Sequence, residues 1–449
     1  MYKDKIKPML KRYLYGSWVW ILLQAINNTR VYCTWKAKRR KLARRGMLYK
    51  FDPDKIHWIN PQVIEFRTKG ARKMSDYAGA VMGGDWDEWE VRWDDHDQVR
   101  WLKEHFIDRI PWEETAYYKS YLHYAKTGEW KAPHSAQGLN LRHLVTSACA
   151  GENDDIVDNE YFAPGALDAR CKILDELYVS VKLKGVVPQT ELLGWNPDPM
   201  KRRDNITIGI GRHGDLLFTD GKHRFTIARI LGLKSIPVRI WQRHKQWVNF
   251  RSEIDLCVKR NSSLYQPMTH VDLQEFRSAH SEDCFDIIQK SLPISSGTML
   301  DLGANWGYFC RRFERVGFYC TAMENDQGSL YYMKKLRRAE NLQFAIIEQD
   351  ILSCNTTLKF NIVLALSIFH HFLISQKTFD KLAEFLQRVE MDYMIFEPNR
   401  HGGNIVKNYA IDCGGEDYVR FVIEHSCLNQ YRKIGVEPET NRPIYLLSK

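Results

Sequence analysis

The run Thr-Met-Leu-Asp-Leu-Gly-Ala-Asn-Trp-Gly-Tyr-Phe at 298–309 constrains this chain more than any other stretch. An apolar strand passes directly into a glycine turn and then a helix. Gly303 and Gly307 let the backbone come close to a ligand at the carboxyl end of the strand, where open α/β sheets bind their ligands. Further apolar runs end the same way. Phe-Tyr-Cys-Thr-Ala-Met ends in Glu324, 17 residues past Gly307, and Gln-Phe-Ala-Ile-Ile-Glu-Gln ends at Asp350. Residues 360–366 are apolar but for Asn361, as suits a parallel strand covered on both faces, and Tyr-Met-Ile-Phe runs into Glu397-Pro398-Asn399. Strands and helices in this alternation predict an α/β doubly wound sheet with polar groups along its carboxyl edge.

The positions of those groups are chemically specific. A carboxylate at Glu324 can accept two hydrogen bonds from a ribose diol, and Asp350 is placed to accept from an adenine amino group. Four polar strand ends in this order resemble the Rossmann-like class I S-adenosylmethionine (SAM)-dependent methyltransferases, over roughly residues 265–449. The resemblance implies SAM as cofactor, bound by Asp301, Gly303, Asn305, Gly307, Glu324 and Asp350, with Asp301 orienting the methionine ammonium. Asn305 stands where the fullest form of the motif has its middle glycine.

After the fourth strand comes Ser-Ile-Phe-His-His-Phe at 367–372. His370 or His371 is a base or an acceptor-orienting group on one reading, since histidine titrates near neutral pH, and part of a loop-shaping contact on the other. Together with the Ile-Phe-Glu-Pro-Asn run, this segment is similar to the methyltransferase half of the kinase–methyltransferases that cap O-antigen polysaccharides. In those enzymes one domain phosphorylates the terminal sugar and the other methylates the phosphate. The acceptor implied is a glycan or glycan phosphate. Glu397, and Arg400 with His401 just beyond it, join the histidines as expected catalytic residues. The eukaryotic-like kinase pattern of that family is missing from this sequence.

A second motif lies upstream. In Asp-Gly-Lys-His-Arg at 220–224, a glycine turn opens a helix and three basic residues follow at once, which makes an anion site. Ahead of it come a helix over 171–184, a Val-Val-Pro-Gln stretch leading into a strand, a strand at 206–211, a turn and a strand at 216–219. The helix after the turn spans 224–231, and a strand follows at 236–241. This order resembles the α+β ParB/sulfiredoxin fold over about residues 168–245. The resemblance implies that Asp220, Gly221, Lys222, His223 and Arg224 hold the phosphates of a nucleotide, ATP or another with magnesium. It also implies that this domain can phosphorylate the acceptor. No cysteine sits in the turn, so sulfiredoxin-type chemistry is not expected, and no helix-turn-helix follows for DNA partitioning. No protein metal site is expected.

The net charge of +10 is unevenly placed. Residues 1–50 hold 14 Lys and Arg against one acid, Asp4, so the arm carries +13 and the remainder −3. The apolar stretch at 18–26 is far shorter than the ~20 residues that cross a bilayer. A basic, aromatic-rich helical arm of this kind suits peripheral contact with an anionic membrane, and an RNA contact or a merely solvated helix are its alternatives. Ten cysteines without a C-x-x-C pair fit reduced thiols in a cytoplasmic protein. The expected organisation is therefore an arm at 1–50, a ParB-like domain at 51–249 and a methyltransferase domain at 250–449, with 250–295 mostly helical. The expected function is membrane-peripheral methylation in polysaccharide synthesis. An RNA or tRNA methyltransferase using the arm is the rival, although its positive charge is confined to those 50 residues. A nucleotide sensor with a vestigial methyltransferase domain is another, which the intact Glu324 and Asp350 disfavour.

Overall fold

The computed structural model describes residues 51–52, 54–68, 79–88, 92–127, 164–192, 205–398 and 416–449. The basic arm, and Arg400 with His401, lie outside them. The chain divides into two compact units: residues up to Arg212 together with Leu216–Lys245, and His213–Asp215 together with Gln246–Lys449.

The first unit contains β1 (Ile56–Ile59), β2 (Phe66–Arg67), β3 (Ala80–Met82), α1 (Asp97–Phe106), α2 (Ala116–Thr127), α3 (Pro164–Lys184), α4 (Gln189–Leu192), β4 (Ile206–Ile210), β5 (Leu216–Asp220), α5 (Lys222–Ile230) and β6 (Ile236–His244). Its sheet runs β1-β6-β4-β5-β2, with β3 also paired to β6. The central β4 is buried along its whole length, which its Ile-Thr-Ile-Gly-Ile sequence permits. Phe225 of α5 packs on Phe218 of β5, ring centroids 4.8 Å apart, and Trp93 lies 4.3 Å from Phe218. This apolar seat fixes where α5 begins. The strand expected after Val-Val-Pro-Gln is instead the helical turn α4. The Pro188 carbonyl accepts from Glu191 and Leu192, and the Asn205 side chain takes the Gln189 N–H at 2.9 Å.

The second unit contains α6 (Lys245–Asn261), α7 (Asp283–Ser291), β7 (Gly297–Leu302), α8 (Tyr308–Glu314), β8 (Phe318–Glu324), α9 (Gln327–Ala339), β9 (Ala345–Glu348), β10 (Leu358–Leu366), α10 (Gln376–Gln387), β11 (Val389–Glu397), α11 (Glu416–Glu424), β12 (Gln430–Val436) and β13 (Pro443–Ser448). The sheet order is β12-β13-β11-β10-β7-β8-β9. β7 to β11 are mutually parallel, and β13 runs antiparallel between β11 and β12. Strand order reverses between β7 and β10, so the crevice at their carboxyl ends is where a doubly wound sheet receives a ligand. Both faces are covered: Met299, Ile362 and Leu364 belong to one apolar cluster, and Leu300, Val363 and Ala365 to the other. That explains the largely apolar runs.

Residues 262–281 depart from the expected helical bridge. They form a strap of turns, held by Leu264, whose N–H donates to Arg277 O at 2.9 Å and whose carbonyl accepts from Ala279 at 2.7 Å. Pro267 and the Asn-Ser-Ser start give this stretch no helical period. Its anchor is a buried node in which Arg311 pairs with Glu340 at 3.0 Å, with both side chains almost wholly out of solvent. The Thr269 hydroxyl donates to Glu340 at 2.6 Å and accepts from Arg311 at 2.6 Å.

Candidate active site

The carboxyl edge of the second unit's sheet opens into one cavity of about 620 Å³. The glycine turn forms one side of it. Gly303 has φ +68°, and a Cβ there would lie 2.7 Å from Ile368 Cδ1. Gly307, with φ +75°, caps α8. Asn305 also adopts a left-handed conformation, φ 53°, which asparagine tolerates better than most residues. The substitution for glycine is therefore compatible with the turn.

Glu324 closes this turn. Its Oε2 accepts from the Asn305 N–H at 2.8 Å, and its Oε1 accepts from Asn325 and Asp326 at 2.8 and 2.9 Å. Asn325, which the sequence reading did not single out, donates through Nδ2 to Asp350 Oδ2 at 3.3 Å. The two carboxylates expected at ribose and adenine thus sit beside one another in the cavity wall. Asp301 is buried on β7, and burial, reinforced by the Glu324 charge, raises its pKa to about 8. It therefore carries a proton at neutral pH. Every residue that the motifs placed at an expected SAM site reaches this cavity or caps its turn.

The other end of the cavity is built from strand ends and loops that are distant in sequence. Ser367, at the end of β10, has the strained φ of 51°. Its hydroxyl donates to Glu397 Oε1 at 2.5 Å. Arg442, in the turn between β12 and β13, donates to the same hydroxyl and lies 3.4 Å from Glu397 Oε1. Burial raises the pKa of Glu397, while Ser367 and Arg442 oppose the shift. His370 and His371 both line the cavity, their rings 4.1 Å apart. Burial, together with His371 and Arg442, lowers the His370 pKa to about 4 and keeps its imidazole neutral. The strap contributes Tyr265, Gln266 and His280. Tyr265, His280, Ser367 and Arg442 were not foreseen. The cation beside Glu397 within the described residues is Arg442.

In the first unit, Asp220 ends β5, and Gly221, φ 90°, caps α5. A Cβ at Gly221 would stand 2.9 Å from Ile206 Cα. Lys222, Arg224 and Arg170 of α3 all act electrostatically on His223. The expected trio of cations needs one correction. His223 Nε2 is buried without a hydrogen-bond partner, and burial first, then those three cations, push its pKa well below the usual histidine value. It is a neutral imidazole. Arg67 of β2, within electrostatic reach of Asp220, donates to the His96 ring at 3.0 Å. Burial, Arg67 and Lys222 lower the His96 pKa to about 3. The basic cluster is thus wider than the motif. Among the described residues no group of His, Cys, Asp and Glu side chains is arranged to hold a metal ion.

No protein-family model matches the chain. No curated protein matches it. Among solved structures, the bifunctional kinase–methyltransferase WbdD is 20% identical, over 43% of this chain and 46% of that one, with a TM-score of 0.32. The chain thus spans less than half the length of the WbdD structure. TehB from Haemophilus influenzae is 13% identical over 36% and 61%, TM-score 0.30. A SAM-dependent methyltransferase from Clostridium acetobutylicum is 15% identical over 45% and 98%, TM-score 0.31.

Proposed function

We propose that the second unit is a SAM-dependent methyltransferase whose acceptor is a surface glycan or glycan phosphate. The observation that carries the methyltransferase reading is the single cavity that joins two chemically different ends: Asp301, Glu324 and Asp350 at one, and His370, Glu397 and Arg442 at the other. The residues fit the cofactor. The glycine turn leaves a cradle that a Cβ would fill, and the acid-rich wall suits a cationic ligand. Glu324 and Asp350 would hold ribose and adenine, and Asp301 the methionine ammonium. When bound, SAM supplies an electrophilic methyl group on a sulfonium. The chain's own part is to place the acceptor oxygen in line, shield it from water and receive its proton. His370 is the neutral acceptor for that proton, and Glu397, braced by Ser367 and Arg442, orients the acceptor. The test is calorimetry with S-adenosylhomocysteine. Micromolar binding is expected, and no binding refutes the reading.

A second reading concerns the first unit, which we infer to be a ParB-like nucleotide-phosphate site. The cations Lys222, Arg224 and Arg170 gathered around the buried, unpartnered His223 Nε2 support it. A nucleotide bound there, ATP with magnesium, would make this unit able to phosphorylate a glycan. The basic, aromatic-rich arm supports a peripheral position on the cytoplasmic face of an anionic membrane.

A further inference from the structure

The strap delivers an aromatic ring to the cavity from a fixed piece of backbone. Leu264 is pinned through both of its backbone groups, its N–H to Arg277 and its carbonyl to Ala279, and its side chain is buried. Tyr265 follows, and lines the cavity, as alternation along an extended stretch requires. The two ends of this tyrosine meet different surroundings. Its hydroxyl reaches the place where Ser367, Arg442 and Glu397 meet, with Ser367 and Arg442 in hydrogen-bonding reach and Glu397 acting through its charge. Burial, then Glu397, raises the Tyr265 pKa, so the phenol stays protonated at neutral pH. The ring is open, and 46% of the residue's surface remains exposed. His280 supports it from the flank, the two rings meeting at 71° with centroids 4.6 Å apart. His280 in turn lies 3.7 Å from Glu437, whose fully buried carboxylate accepts from the Ser281 and Thr440 N–H groups. An aromatic ring braced at its hydroxyl and its flank loses little freedom when a ligand covers it.

The groups around the ring select its occupant. Glu397 can accept a hydroxyl hydrogen bond, Arg442 can donate one and Ser367 can do either. A pyranose offers the complement. Its rim carries hydroxyl groups that are each donor and acceptor, and its C–H face is drawn to the negative face of a phenol. An alkyl chain would use the ring alone, and a free phosphate the polar groups alone. Resting on the methyltransferase reading, we propose that Tyr265 is a specificity-determining residue that seats a pyranose ring of the glycan acceptor, face to face on its phenol, while Arg442 and Glu397 take hydroxyl groups at the rim. Tyr265 reads the sugar ring and not the reacting oxygen, so the assignment holds for a hydroxyl or a phosphate borne on that sugar.

The experiment uses the full chain. Calorimetry with S-adenosylhomocysteine comes first, and absent binding there overturns the underlying reading, whatever the acceptor. The chain saturated with S-adenosylhomocysteine is then mixed with the methyl β-pyranosides of glucose, galactose and mannose, and with sorbitol, which has the hydroxyl groups without the ring. Saturation-transfer NMR should show one or more pyranosides receiving saturation chiefly on the C–H protons of one ring face, and sorbitol receiving none. Tyr265→Phe should keep that pattern, because the aromatic face is kept. Tyr265→Leu should lose it and weaken the glycoside about tenfold, the scale of one lost aromatic contact, with S-adenosylhomocysteine affinity and melting temperature unchanged. With methyl-labelled SAM the same variant should show a raised KM and little change in kcat. Several results overturn the proposal: no saturation on any pyranoside, equal saturation of sorbitol, loss of the pattern in Tyr265→Phe, or its survival in a folded Tyr265→Leu. A fall in S-adenosylhomocysteine affinity in Tyr265→Leu would give the ring to the cofactor and overturn it too. Should Tyr265→Leu not fold, the parent and Tyr265→Phe still decide the matter.

Discussion

The Asn305 N–H donates to Glu324 Oε2 at 2.8 Å, so the second strand end holds the glycine turn of the first. Glu324 therefore braces the turn and faces the cavity at once. Hydrogen bonds to an ionised group contribute about 1.5–3 kcal/mol each, and three backbone donors converge on this carboxylate. Glu324→Ala should weaken S-adenosylhomocysteine binding by about 100-fold or more and also lower the melting temperature. Calorimetry and a thermal melt check both, and unchanged affinity would remove Glu324 from the site.

Asp301 gives a pH signature. Its pKa is raised from 3.8 to about 8, so between those values the folded chain holds a proton that the unfolded chain has released. Stability contributed by this group falls as pH rises through that window. Asp301→Asn should therefore be more stable than the parent at pH 8, and show little advantage near pH 4. Cofactor binding runs the opposite way. The ammonium needs the carboxylate, so parental affinity should rise by up to about tenfold per pH unit towards pH 8 and level off above it. Melts and calorimetry across pH 6–9 test both slopes. A flat affinity profile would exclude Asp301 as the ammonium partner.

Gly303 offers a test of backbone against side-chain strain. Gly303→Ala meets Ile368 and forces a side chain onto φ +68°. A loss of about 1–3 kcal/mol is expected from the backbone alone. Adding Ile368→Ala should recover only part of it. Full recovery in denaturant melts would mean that contact, and not conformation, requires the glycine.

For the first unit, His223→Ala combined with Arg224→Ala should abolish binding of ATP with magnesium and leave S-adenosylhomocysteine binding untouched. Arg67→Ala, at the edge of the same basic cluster, should weaken ATP by about tenfold. Equal nucleotide affinity in the double variant would show that the turn holds no phosphate.

The arm makes a separate prediction. The full chain should sediment with anionic liposomes at low salt, where screening is weakest, and removal of residues 1–46 should release it without loss of S-adenosylhomocysteine binding. Failure of the full chain to bind would end the membrane reading.

The glycine-turn half of the cavity was readable because it is written locally. Gly303, Gly307 and the strand-end carboxylates must occur at fixed offsets from apolar runs, and the structure brings them to one cavity or its turn. The half around Glu397 was not. Arg442 meets Glu397 across 45 residues, so no local pattern announces it, and the basic residues directly after Glu397-Pro-Asn were the natural expectation. The strap was misjudged for a related reason. Its conformation is set by the buried Thr269–Glu340–Arg311 node, a tertiary tie between distant segments. In the first unit the glycine turn and helix were legible, but the neutral state of His223 depends on its burial, which a run of basic letters cannot convey.

The strap at 262–281 and the turn that carries Arg442 have a consequence for how such an enzyme changes over generations. On the proposed reading, the donor end is fixed by strand termini inside a doubly covered sheet, where altering one residue disturbs the core beneath it. The other end adds connecting segments to the strand ends at Ser367 and Glu397, and such segments tolerate replacement far better. A lineage can therefore exchange Tyr265, His280 or the neighbourhood of Arg442 and take up a new acceptor while its donor stays the same. Transplanting those two segments between relatives should move acceptor preference as a package, and the sheet would serve as an unchanging chassis.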